Sequence, residues 1–129
     1  MKSKRVLIMY LGNGNVKSEI AKELMFNRIL NEMIEEGREV KNSLLQPITK
    51  SVTFDDGSKL MLFPFSNVQK GFRVTHIFLD AEIAFLPNGD KLINEKIKPC
   101  IINGEREDFD TSGKQLLLYS FADNELKIN

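Results

Sequence analysis

Lys70-Gly71-Phe72-Arg73-Val74-Thr75-His76-Ile77-Phe78-Leu79-Asp80-Ala81-Glu82-Ile83-Ala84-Phe85 is the stretch that decides how this chain is read. Val74 to Leu79 is a short run of β-branched and apolar residues, the composition of a buried strand. It stops at Asp80, and Glu82 follows two residues on. A buried strand that ends at an acid puts a carboxylate at the carboxyl edge of a sheet. Open α/β sheets bind their ligands along that edge. The remaining segments are therefore read by asking what faces Asp80.

Upstream, Ser51–Phe54 and Lys59–Phe63 flank Asp55-Asp56-Gly57, a hairpin turn signal. Pro64 closes the second strand, and the short connection makes the pair antiparallel. This hairpin is expected at an edge of the sheet. Glu39–Leu45 is ambiguous, with Val40, Leu44 and Leu45 compatible with a short strand. Ser66–Arg73 is a polar loop.

Arg5–Tyr10 is a continuous apolar run of strand length, suited to a central strand. Leu11-Gly12-Asn13-Gly14-Asn15 breaks it, since glycine and asparagine tolerate positive φ. A helix is expected from Lys17 or Ser18, with Ser18 as the candidate N-cap. Ile20, Ala21, Leu24, Met25, Ile29, Leu30, Met33 and Ile34 form its apolar face. Glu19, Lys22 and Glu23 lie on the other side, and Gly37 is the stop.

Downstream, Ala81–Leu86 reads as a helical turn. Asp90 is the expected N-cap of a short helix over Lys91–Lys98, with Leu92, Ile93 and Ile97 inward. Glu105–Asp110 is an acidic loop. Lys114–Phe121 is the last strong strand, and Leu126–Asn129 is a frayed end or an edge strand. Helical segments separate the richest strands, so a largely parallel sheet is the economical arrangement.

The 129 residues suit one domain over 1–129. Eighteen basic and eighteen acidic side chains give no net charge and hence no broad pull toward nucleic acid or an anionic membrane. One cysteine, Cys100, allows no internal disulfide and reads as a small hydrophobe. One histidine, His76, is expected to be packed or at an edge. The Met and Phe residues Met25, Met33, Phe54, Phe63 and Phe78 are expected in the core, with Phe63, Phe65 and Phe72 as a candidate partner patch. No apolar run approaches the roughly 20 residues of a membrane span, and Val6–Leu11 is too short for a signal-peptide core. The expectation is a cytoplasmic protein.

The strand, the Gly12–Gly14 loop ending in Lys17-Ser18, and the amphipathic helix resemble a degenerate Walker A unit. Asp56-Gly57-Ser58, Lys70-Gly71 and Ile77-Phe78-Leu79-Asp80 resemble, in order, segments of the ATPase domain of phage large terminases. The likeness is clearest over residues 51–86. Val16 stands where the Walker A pattern has its second glycine, and Ala81 separates the two acids.

The resemblance implies an α/β fold with a mostly parallel central sheet of P-loop NTPase type, flanking helices and an antiparallel edge hairpin. It implies ATP and Mg2+ as ligands. Gly12, Gly14, Lys17 and Ser18 would meet the nucleotide, Ser18 and Asp80 the metal, and Asp80 and Glu82 would serve any hydrolysis. Two plainer readings stay open: an ordinary strand-to-helix loop with a solvated Lys17, and Asp80 as a cap of the following turn. The alternative function is a non-catalytic small phage protein that keeps the fold and binds a protein partner.

Overall fold

The computed structural model describes residues 2–12, 14–67, 73–102 and 108–121, and the backbone of 125–127. Among the described residues, seven strands form one mixed sheet: β1 (Arg5–Tyr10), β2 (Val40–Leu45), β3 (Lys50–Phe54), β4 (Lys59–Pro64), β5 (His76–Asp80), β6 (Leu116–Ser120) and β7 (Glu125–Lys127). Their order is β2-β3-β4-β1-β5-β6-β7. Strands β4, β1, β5 and β6 are parallel, while β2–β3, β3–β4 and β6–β7 are antiparallel.

The 51–63 hairpin forms as expected but does not supply the edge. Its second strand, β4, runs beside β1 with Leu60 opposite Val6 and Leu62 opposite Ile8. Leu60, Met61 and Leu62 are buried in succession, which is the pattern of an interior parallel strand covered on both faces. The ambiguous 39–45 segment becomes β2 and takes the outermost position. β5 starts at His76 rather than Val74, and Val74 instead makes an isolated parallel bridge to Ile101.

Helix α1 (Val16–Glu35) covers one face of the sheet. Its buried stripe is Ser18, Ala21, Lys22, Met25, Phe26, Ile29 and Met33. That stripe packs on Val6, Ile8, Tyr10, Leu60 and Leu62. Each such buried large side chain contributes about 1.5–3 kcal/mol. The face is rotated from the one read in the sequence, and Ile20, Leu24 and Ile34 are exposed. Phe26 fills the inward position, and Lys22 goes in with it because its ammonium lies 3.9 Å from the Tyr10 ring centroid. The N-cap is Asn15, not Ser18: the Asn15 side chain accepts the Ser18 N–H at 3.1 Å.

The opposite face is covered by the segment after β5. A 3₁₀ turn (Ala81–Phe85) leads into the short helix α2 (Gly89–Leu92), a π-helical turn (Ile93–Ile97) and a second 3₁₀ turn (Lys98–Cys100). Asn88, at φ 63°, precedes α2, so Asp90 lies in its first turn and does not cap it. Ile83, Ile93, Ile97 and Cys100 pack on Leu7, Met9, Met61, Ile77 and Leu79. Burial pushes the Cys100 thiol up, as suits an inert packed cysteine. No helix among the described residues is long and apolar enough to cross a membrane. The result is a three-layer α/β/α arrangement whose central strands all point their carboxyl ends the same way.

Candidate phosphate site at the carboxyl edge

β1 and β5 are parallel neighbours, with Met9 opposite Leu79. The chain leaves β1 into α1 on one face and leaves β5 into the 3₁₀ turn on the other. Adjacent strands whose connections depart to opposite faces open a crevice at their carboxyl ends, the usual ligand position in such sheets. Leu11 and Asp80 stand at the mouth of this crevice.

Asp80 is fully buried, at 0% exposure. Its Oδ2 accepts the Leu11 N–H at 3.3 Å, and its Oδ1 accepts the Glu82 N–H at 3.2 Å. The Phe121 N–H, just beyond β6, also donates to it. The carboxylate thus caps the 3₁₀ turn and joins three chain segments. Burial raises it above the ordinary carboxylate range, against the pull of these N–H donors. The strand ends at Asp80, so Glu82 sits in the turn. The shared strand face that would pair the two acids does not form. In this arrangement Asp80 presents no accessible oxygen to a cation. Among the described residues, no group of three or more His, Cys, Asp or Glu side chains could hold a metal ion.

Leu11, Gly12, Gly14 and Asn15 lie between β1 and α1, beyond the same edge. Gly12 and Gly14 both have positive φ, 74° and 79°, which excludes most side chains there. A Cβ at Gly14 would meet nothing within 4 Å, so this part of the loop borders open space. The 20-residue helix that follows brings the positive end of its dipole to this edge, with its Ser18 N–H taken by the Asn15 side chain. Ser18 lies in the first turn at 6% exposure, and its Oγ has no hydrogen-bond partner among the described residues. A buried hydroxyl left unpaired costs about 1–3 kcal/mol. Lys17, the other half of the Lys-Ser pair, is exposed.

The buried cation is Lys22, one turn further along, at 3% exposure. Its Nζ lies 2.6 Å from Glu19 Oε2 as well as over the Tyr10 ring. Burial alone would lower its pKa, but the Glu19 bond and the nearby Tyr10 outweigh that and raise it. Sequence periodicity gave no sign of Lys22, because a charged residue counts as outward whatever aromatic ring waits beneath it.

Two other segments singled out in the sequence lie elsewhere. Asp56-Gly57-Ser58 sits at the amino edge, where Lys59 pairs with Arg5. There the buried Arg38 guanidinium meets Ser58 Oγ at 3.0 Å, Glu36 Oε1 at 2.7 Å, Asp56 Oδ2 at 3.3 Å and the Lys2 carbonyl at 2.8 Å. Ser58 Oγ accepts the Lys4 N–H, and Ser3 Oγ donates to the Asp56 carbonyl. This cluster ties the hairpin to the N-terminal segment and does not approach the crevice. His76 is also at the amino edge and is buried. Its Nε2–H donates to the Ser112 carbonyl at 2.8 Å, and its Nδ1 lies 2.8 Å from Thr75 Oγ1. Lys70, Gly71 and Phe72 lie outside the described residues.

No protein-family model matches the chain, and no curated protein matches it. Among solved structures it is similar to the large terminase from a thermophilic bacteriophage, at 17% sequence identity and a TM-score of 0.42. The likeness runs over the whole of this chain and 34% of that one, so the chain spans about a third of the length of its match.

Proposed function

We propose that this chain binds the phosphate groups of a nucleotide in the crevice between β1 and β5. The observation that carries the reading is the buried, unpartnered Ser18 Oγ in the first turn of α1, beneath a loop that two left-handed glycines turn across the edge. Helix N-termini offer unpaired N–H groups and favourable dipole ends to anions. The Ser18 Oγ is enclosed, so a phosphate oxygen, or the Mg2+ accompanying ATP, becomes its partner only when the first turn of α1 shifts to admit the ligand. Gly12 and Gly14 let the backbone approach the ligand, and the exposed Lys17 adds positive charge at the mouth. Asp80 positions the loop by holding Leu11. The reading is one of binding rather than hydrolysis, because Asp80 is enclosed and Glu82 does not share its face. Extension to a terminase-like packaging ATPase rests on the sequence resemblance over residues 51–86.

Thermal melting with and without Mg-ATP tests this. A ligand at 100 times its Kd stabilises the native state by about 2.7 kcal/mol. The expected result is a rise in Tm with Mg-ATP that Ser18→Ala reduces. No rise at millimolar nucleotide would overturn it.

A second reading, partner binding, is favoured by a separate observation. Val16, Ile20 and Leu24 are spaced four residues apart on α1, and all three are exposed. Beside Leu24 lies a shallow groove lined by Ala21, Met25, Arg28 and Tyr119. A helical stripe of this kind is suited to a protein partner.

A further inference from the structure

We propose that Lys22, not Lys17, is the ammonium that meets the bound phosphate, and that Glu19 is the counter-charge which the phosphate must displace from it. The inference rests on the phosphate reading above and adds to it a resident anion that the ligand must displace.

Ser18 and Lys22 are four residues apart on α1 and so share one face of the helix. Long helical side chains lean toward the N-terminus. Lys22 does so here, since its Nζ reaches Glu19 one turn earlier at 2.6 Å. The ammonium is therefore carried toward the N-terminal end of the helix. Tyr10, the last residue of β1, supports it from below at 3.9 Å. A buried lysine needs a counter-charge, and Glu19 provides one.

The Glu19 side chain itself is 43% exposed and free to swing into water. A carboxylate in the first turn of a helix lies where an incoming phosphate is also drawn, because both answer to the same dipole and the same ammonium. A phosphate carries more negative charge than a carboxylate and more acceptor oxygens. It can take Lys22 from Glu19 without moving the lysine off the Tyr10 ring. Lys17 stays exposed and contributes only a screened charge.

Isothermal titration of Mg-ADP and of inorganic pyrophosphate into the parent, Lys17→Ala, Lys22→Gln and Glu19→Gln proteins tests this. Lys22→Gln is expected to weaken binding tenfold or more, and Lys17→Ala less than threefold. Glu19→Gln is expected to tighten binding at least threefold. A merely structural Glu19–Lys22 pair would not produce that gain. Glu19 is a surface side chain, so its variant reads the proposal even if Lys22→Gln fails to fold.

A spectroscopic arm is also available. The protein has two tyrosines and no tryptophan, so its fluorescence reports Tyr10 and Tyr119. Saturating pyrophosphate should change that signal in the parent and not in Tyr10→Phe. Unchanged or weaker binding by Glu19→Gln, or full affinity in a folded Lys22→Gln, overturns the inference and leaves the phosphate reading standing. No binding by the parent removes both.

Discussion

Asp80 Oδ2 accepts the Leu11 N–H at 3.3 Å, so the end of one parallel strand holds the first residue beyond its neighbour. The same carboxylate takes N–H groups from Glu82 and Phe121. Three departures of the chain from the sheet therefore depend on one side chain. Asp80→Ala would leave these donors without their acceptor and is expected to cost about 2–4 kcal/mol in chemical denaturation.

Asp80 also sets a pH dependence. Its folded pKa is raised, chiefly by burial, above the value of roughly 3.9 expected in the unfolded chain. The native state then holds its proton more tightly. This contribution to stability is present below the unfolded pKa and is lost as pH rises through the folded value. Asp110 works the other way. Hydrogen bonds from Ser112 depress its pKa, so its contribution is present above the unfolded value and is lost as pH falls through the folded one. Subtracting the stability profile of Asp80→Asn from that of the parent should isolate a component that declines from about pH 4 upward. A flat difference from pH 3 to 7 would contradict the assignment.

Ser18→Ala should separate stability from binding. The substitution removes a buried hydroxyl that has no partner, so the ligand-free protein is expected to gain up to about 1 kcal/mol. Its affinity for Mg-ATP is expected to fall. Urea titration without ligand and calorimetry with it would read the two effects, and a loss of stability without ligand would count against the orphaned-hydroxyl account.

Arg38 is expected to be the most sensitive basic residue outside the crevice. Its guanidinium serves Glu36, Asp56, Ser58 and the Lys2 carbonyl at once. Arg38→Ala should cost about 3 kcal/mol, as breaking a buried ion pair does. Arg38→Lys should recover little of this, because an ammonium cannot reproduce the planar fork. Proteins with intact and altered Arg38 should bind Mg-ATP alike under conditions where both are folded.

Gly89→Ala is expected to be severe for a steric reason. An added Cβ would stand 2.6 Å from the backbone oxygens of both Ile83 and Ala84. Backbone atoms cannot swing aside as a side chain can, so the 3₁₀ turn and α2 must separate. The expected loss is about 2 kcal/mol or more, measured as a drop in denaturation midpoint.

The apolar runs at 5–10, 59–63 and 116–120 were legible as strands because an interior parallel strand is apolar on both faces. What could not be read was the neighbour of the hairpin. A turn such as Asp55-Asp56-Gly57 fixes one partner of β4 and says nothing of the other, so its place beside β1 depended on long-range packing. The helix was legible in length but not in rotation. Ile20 and Leu24 count with the apolar face in the sequence, and only the burial of Phe26 and Lys22 turns the helix so that those two are exposed.

At the candidate site, Ser18 stood out from its place after Lys17, whereas Lys22 did not. Its burial depends on the Tyr10 ring, which lies twelve positions away in sequence. Asp80 was open to two readings, and its contacts favour the cap. Asp56-Gly57-Ser58 matched a turn motif, yet its partners are Arg38 and the N-terminal residues rather than the crevice.

β2 ends the sheet with all six of its residues exposed, and Val40, Leu44 and Leu45 among them are apolar. A bare outer strand of that kind can zip onto the same strand of another molecule. Here the register slips between Val40 and Asn42, at Lys41. That kink, with a charge upon it, breaks the run of backbone rungs another chain would need. Shortening the strand by this one residue would straighten it, and the shortened molecule is expected to stick to itself more readily than the parent does at equal concentration.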